Sequence, residues 1–343
     1  MTAPVLARVE RARIAGHWVT DALVELSETG MRLVPEGEAP PRIRRRIQGS
    51  LLPPITDAHV HVGLVDAALH EPTALGRVLD LGWDPAALPE MLEAAHGAHR
   101  GLDVRFAGPF HTAVGGYPSD RDWAPPGAVA ELADAADAAR SVHSQAAAGA
   151  SAIKVTLNSE AGPVLDDAVL AALVAEARAA ALPLVAHVQG PGQAERAIAA
   201  GVGVLAHTPW TERLDDDAIR AAAVSQTWIS TLAMHSRDGD ELAFARATDN
   251  LARFAAAGGA VAYGTDLGNG LARFDLDQSE VAALRQAGIE GTALVDALLA
   301  EGLLPPGPTL STFSADVTDD ESVIANLHRA GSLPFTWYDL DEV

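Results

Sequence analysis

Cysteine is absent from the 343-residue sequence, which excludes disulfides, thiolate metal sites and a cysteine nucleophile. Basic residues are scarce: 24 Lys and Arg stand against 46 Asp and Glu, a formal net charge of −22. A surface this acidic repels phosphate backbones and anionic lipid, so neither nucleic acid nor a membrane is an expected partner. Long uninterrupted apolar runs are also missing, and the opening MTAPVLARVE shows no basic stretch followed by an apolar one. The expectation is a cytoplasmic chain. No Gly-x-Gly-x-x-Gly or Walker-type phosphate loop follows the early strand-like segments, which leaves a nucleotide crevice without support. What remains is ordinary globular material, 48% hydrophobic and 20% charged, enough for one or two large cores. Any metal must then sit on His, Asp, Glu or a modified Lys.

Residues 5 to about 52 show short β-branched and polar alternation, at Val9 to Ile14, Trp18 to Leu26 and Met31 to Val34, separated by turn residues. This pattern predicts a small β domain over residues 1–52, with the Arg42 to Arg46 run as a solvated edge strand. From 53 to 304 eight short apolar runs alternate with Ala-rich helical stretches. The strand candidates are Ile55 to Val60, Arg77 to Leu81, Val104 to Phe110, Ala152 to Leu157, Leu184 to Val188, Val202 to His207, Thr227 to Leu232 and Ala260 to Gly264. Helical patterns include Ala87 to Arg100, Val129 to Ala148, Asp167 to Ala180, Gln193 to Ala200, Asp216 to Ala223 and Leu242 to Ala257. Eight βα units over roughly 250 residues predict an α/β fold of the (β/α)8 TIM barrel type rather than an open doubly wound sheet. The Pro-rich segment 305–343 turns β-like at Leu333 to Tyr338 and is expected to return to the N-terminal sheet.

Barrel enzymes keep their chemistry at the C-terminal ends of the strands. Strand one ends in TDAHVHVG, and the two-residue spacing of His59 and His61 puts both imidazoles on one face, where two nitrogens can converge on one ion. Strand four, SAIKVTLN, places Lys154 inside an apolar run. A buried ammonium is costly, so a neutral amine that captures carbon dioxide as a carbamate is the functional reading, and a lysine snorkelling between helices the structural one. Strands five and six end in His187 and His207, and Asp266 follows strand eight. Any one of these could be a core histidine or a helix cap; six candidate ligands at five strand ends are hard to explain that way.

His59 with His61, Lys154, His187, His207 and Asp266, in this order on these strands, resemble the amidohydrolase superfamily, closest to the imidazolonepropionase-like and prolidase-like bacterial members. The resemblance covers roughly residues 50 to 304. It implies a binuclear centre of two divalent ions, zinc expected with manganese or iron as alternatives: His59, His61 and Asp266 on the first, His187 and His207 on the second, and carbamylated Lys154 bridging. The Gly-Lys-x-Ala-Asp-Leu segment that closes the small domain in many members has no clear copy near Ala315 to Tyr338. The implied reaction is hydrolysis of an amide-type C–N bond in a small molecule, such as an N-acyl amino acid, dipeptide or cyclic amide, with Asp266 as proton shuttle. Ester, lactone or phosphotriester hydrolysis is the nearest rival. A deaminase is disfavoured because no Glu stands three residues after His187, and a non-catalytic metal-binding protein because all six positions are retained. His111, Tyr117, Trp210, His235 and Asn269 lie at the predicted mouth and are candidate substrate contacts. Arg273 reads as a solvated loop residue, and His17, His70, His96, His99, His143 and His328 show no ligand spacing. An assembly of identical copies is compatible with all of this.

Overall fold

Strands β1 (Val5–Ile14), β2 (His17–Ser27), β3 (Gly30–Leu33) and β4 (Arg45–Leu52) open the chain in a computed structural model that describes residues 3–38, 45–66, 73–99, 101–271 and 273–336. Ten parallel-sheet strands follow: β5 (Thr56–Val60), β6 (Arg77–Asp80), β7 (Asp103–Phe106), β8 (Phe110–Ala113), β9 (Val129–Leu132), β10 (Ile153–Asn158), β11 (Leu184–Gln189), β12 (Val204–Leu205), β13 (Thr227–Ile229) and β14 (Ala260–Ala262). β15 (Thr309–Phe313) and β16 (Gly331–Pro334) come last. Helices α1 (Leu88–Ala98), α2 (Ala135–Ala147), α3 (Asp167–Ala179), α4 (Gln193–Ala200), α5 (Asp216–Ser225), α6 (Leu232–Arg237), α7 (Glu241–Ala256), α8 (Gln278–Gln286), α9 (Gly291–Leu299) and α10 (Asp320–Ala325) are interspersed among them.

The terminal strands form one six-stranded sheet in the order β16-β15-β4-β1-β2-β3, in which β15 runs antiparallel to β4. The C-terminal segment therefore does return to the N-terminal sheet. β4 lies between β15 and β1, but β15 pairs only with residues 50–52, so the exposed Arg46 end of β4 pairs with β1 alone among the described residues. Arg42 to Arg44 and Tyr338 lie outside the described residues.

The remaining strands are parallel, in a seven-stranded sheet β14-β13-β12-β11-β10-β8-β9 and a three-stranded sheet β5-β6-β7. Hydrogen bonds join the two sheets at both ends. Ser151 N donates to the Phe106 carbonyl at 2.8 Å, and Ala58 N to that of Tyr263 at 2.9 Å. His61 N donates to the Leu267 carbonyl at 2.8 Å. One buried cluster draws Ala58, Leu79, Ala107, Ala152, Val185, Val204, Ile229 and Ala262 from successive parallel segments, while a larger one packs the opposite strand faces against the helices. Burial on both faces is why these strands read as continuous apolar runs.

Three expected elements change. Strand three is broken at 107–109 into β7 and β8. The expected helix from Val129 begins instead with β9, because Asp134 caps α2 by accepting from Asp137 N at 2.9 Å and so sets the start of that helix. The seventh strand stops at Ile229, and Leu232 opens α6.

Arg13 ties the small sheet to the helices. Its side chain is fully buried, with Nε donating to Asp320 of α10 at 2.9 Å and Nη2 to Asp296 of α9 at 2.6 Å. Arg13→Ala strands the mostly buried Asp320 without its cation and should cost about 3 kcal/mol. A urea midpoint equal to that of the wild type would show that this cluster does not hold the sheet in place.

Candidate metal centre and active site

Strand β5 delivers two imidazoles and the segment after β14 a carboxylate. The β5–β6 register shifts between Asp57 and Val60, a stretch that contains His59, and the His59 and His61 rings meet on one side. His59 Nε2 lies 3.2 Å from His61 Nε2 and 3.2 Å from Asp266 Oδ1, and His61 Nε2 lies 3.3 Å from the same oxygen. The far ring nitrogens face backbone carbonyls: His59 Nδ1 is 2.8 Å from the Ala206 oxygen and His61 Nδ1 3.3 Å from that of Gly82. Donation to those carbonyls puts the ring protons on Nδ1, so two bare Nε2 lone pairs and a carboxylate oxygen converge. That arrangement is repulsive without a cation. A tetrahedral ion with bonds of about 2.0 to 2.1 Å sets its ligand atoms about 3.3 Å apart, which is the separation found. The donor set fits a divalent metal. His207 lies beside it: its ligand atom, one from His59 and one from Asp266 all lie within 4.8 Å of one another.

Asp266 adopts a left-handed backbone at φ +56, uncommon for a residue with a side chain. The fold pins it by Asp266 N donating to the His59 carbonyl at 2.9 Å and by Asn269 Nδ2 donating to its Oδ2 at 3.1 Å. Burial alone would raise its pKa. The polar groups around it, the His61 and His207 rings and the Asn269 amide, outweigh burial and draw it below the usual carboxylate range. Thr231, the other left-handed residue here at φ 45, places its hydroxyl 2.9 Å from His207 Nδ1 and leaves Nε2 of that ring for the site. Buried Glu280 of α8 accepts from Leu232 N and Ala233 N at 3.0 and 2.6 Å and so steadies the Thr231 turn.

Lys154 of β10 is 2% exposed, and burial drives its ammonium down to about 7, against the pull of Asp266 and Asp80. An amine that deprotonates near neutrality can react with carbon dioxide; an ordinary lysine cannot do so efficiently. His187 of β11 sets Nε2 3.2 Å from Gln189 Oε1, which leaves Nδ1 as its open nitrogen, and burial pushes its pKa down to about 4.

A cavity of about 610 Å³ opens over these groups. Its wall contains His61, Lys154, His187, His207 and Asp266, together with Tyr117, Trp210, His235 and Asn269. Four of the five residues expected as substrate contacts therefore reach it, and His111 does not. Register explains the correction: β10 pairs Lys154 with Phe110 and Val155 with His111, so Phe110 shares the inward face and His111 the outward one. The buried His111 ring instead bridges the Lys154 carbonyl (2.8 Å) and Ser141 Oγ of α2 (2.7 Å). Of the other histidines, His70 lies outside the described residues.

Several supports escaped the sequence reading. Asp80 is fully buried and accepts from Val62 N and Gly82 N at 2.7 and 3.0 Å, fixing the backbone around His61. Asp57 accepts from His59 N and Thr265 N at 3.0 and 3.1 Å and clamps β5 to the Asp266 segment. Its place in the TDAHVH run was a usable signal. Trp123 is separated from every strand end in sequence, yet its ring packs 5.7 Å from Phe110 and 6.3 Å from Tyr117 in the cavity wall. Nothing local marked it.

No family profile matches the chain, and no curated protein is significantly similar to it. Solved structures share its fold at low identity. An ochratoxinase from A. niger superposes with a TM-score of 0.72 at 16% identity, over 96% of this chain and 94% of that one. A Xaa-Pro dipeptidase with bound methionine in its active site gives 0.68 at 15% identity, over 94% and 96%. A molinate hydrolase gives 0.65 at 14%, over 98% and 94%. Among the described residues, no helix is long and apolar enough to cross a membrane.

Proposed function

We propose that the protein is a metal-dependent hydrolase of amide-type C–N bonds, built as a (β/α)8 barrel of the amidohydrolase superfamily, with residues 1–52 and 305–343 forming the small β domain. The carrying observation is the convergence of His59 Nε2, His61 Nε2 and Asp266 Oδ1 at 3.2 to 3.3 Å. The shared fold with a dipeptidase and other hydrolases supports the same reading.

His59, His61 and Asp266 would hold one divalent ion, His187 and His207 a second, and Lys154 as a carbamate would contact both. Such ions, zinc by expectation, would polarise a substrate carbonyl and lower the pKa of a water. Asp266 then has the chain's part in the proton transfer. Its carboxylate accepts the proton of the attacking water and passes it to the departing nitrogen, a role the histidines cannot take while bound through their free nitrogens. Asn269 orients the carboxylate through Oδ2. The aromatic wall limits water around the reacting amide.

The test is metal analysis of the purified protein followed by hydrolysis of a panel of amides, lactones, esters and phosphotriesters. About two divalent ions per chain and preferential amide cleavage are expected, with a carbamate carbon signal from Lys154 after exposure to labelled bicarbonate. Full activity in metal-free protein would overturn the proposal, and preferential cleavage of esters or phosphotriesters would move it to the rival class.

A further inference from the structure

The described wall of the cavity contains a single Lys or Arg, Lys154, which the proposed chemistry already uses. Its rim carries the exposed carboxylates Asp238 and Asp240, and Gln189 in the wall is held by a third, donating through Nε2 to Glu160 at 2.9 Å. The charges of Asp240, Asp238 and Asp266 all reach His235 on the wall, opposed there by that of Arg237. The neighbouring guanidinium groups lie outside the wall and are partly engaged, the buried Nε of Arg237 having no hydrogen-bond partner among the described residues. Arg237 donates to Asp277 at 3.0 Å and to the Thr265 carbonyl at 3.1 Å, while Arg121 pairs with Asp120 at 3.4 Å and lies over the Tyr117 ring. Arg273 is exposed and outside the wall, and residues 67–72, which follow the His61 segment, include no Lys or Arg. The remaining wall is largely aromatic and apolar, with Phe110, Tyr117, Trp123 and Trp210.

A substrate carboxylate held at the outer mouth, away from the proposed ions, would meet the carboxylates of Asp238 and Asp240 and no lining Lys or Arg besides Lys154, at a cost in binding. An apolar or basic group meets ring faces and carboxylates, which favour it. We propose, resting on the amidohydrolase reading, that the site takes amides whose mouth-facing part is apolar or aromatic, neutral or cationic, and bears no carboxylate. N-acyl amino acids and dipeptides with a free C-terminus are thereby disfavoured within the amide class.

A matched pair tests this. N-acetyl-L-phenylalanine amide and N-acetyl-L-phenylalanine differ only in the remote charge, and acetate release reads the same bond in both. The amide should have a kcat/KM at least about tenfold higher, a gap that shrinks in high salt because exposed charges are screened. Asp238→Asn should narrow it severalfold. Equal or faster turnover of the free acid, or a gap indifferent to both salt and Asp238→Asn, overturns the substrate class while leaving amide hydrolysis standing. Should neither compound be cleaved, binding still decides: quenching of the tryptophan fluorescence, to which Trp123 and Trp210 contribute, must show tighter binding of the amide. Tighter binding of the acid overturns the proposal, independently of any failure of catalysis.

Discussion

His59→Ala should abolish turnover and lower the metal content of the purified protein. The ring supplies one of three candidate ligand atoms lying 3.2 to 3.3 Å apart, and its Nδ1 is oriented by the Ala206 carbonyl. Removing it leaves two donors at the first position. A fall in kcat/KM of at least about 10⁴-fold, some 5 kcal/mol of barrier, is expected. Because His59 is fully buried, circular dichroism must show that the variant is folded, and His61→Ala, at a slightly less buried position, serves as a parallel case. Wild-type turnover in a folded His59→Ala protein would remove the metal centre from the explanation.

Asp266→Asn tests proton transfer apart from metal retention. Asparagine keeps the shape and a carbonyl oxygen where Oδ1 stands, so the ions should largely stay. It cannot accept the proton, and the loss in turnover should reach about 10² to 10⁴-fold, the usual range for a lost general base. The left-handed backbone at 266 does not confuse the comparison, since Asn tolerates φ +56 as well as Asp does. Near-normal turnover with both ions present would show that another group moves the proton. His235, on the cavity wall with burial pushing it down to about 4, is then the next residue to test. His111, turned outward onto α2, is not.

The candidate ligand set was legible in the sequence because polar residues recur at the ends of five apolar strands. A lysine within the run IKVTL is expensive to bury, and a histidine at the end of LVAH, ordinary on its own, gains meaning from the others at matching strand ends. The parallel-strand architecture was legible for a related reason: strands covered on both faces must be apolar throughout. His111 shows where such reading stops. It sits at a strand end like the true wall residues, but the break at 107–109 resets the alternation, and the phase of a strand across a break is set by its pairing with β10.

By itself, then, the sequence determined which side chains could do chemistry, their order along the chain and the alternation of strand and helix, since these depend on residue type and spacing. Tertiary structure alone decided how they meet. The turn of Thr231 that chooses the free nitrogen of His207, the burial of Asp80 and Asp57 behind the β5 histidines, and the meeting of Trp123 with Phe110 all join residues far apart in the chain. The acid rim of Asp238 and Asp240 belongs with them, because the sign of charge at a cavity mouth depends on which loops surround it. Distances, tautomers and local fields are set by packing across sequence separations that no local pattern encodes.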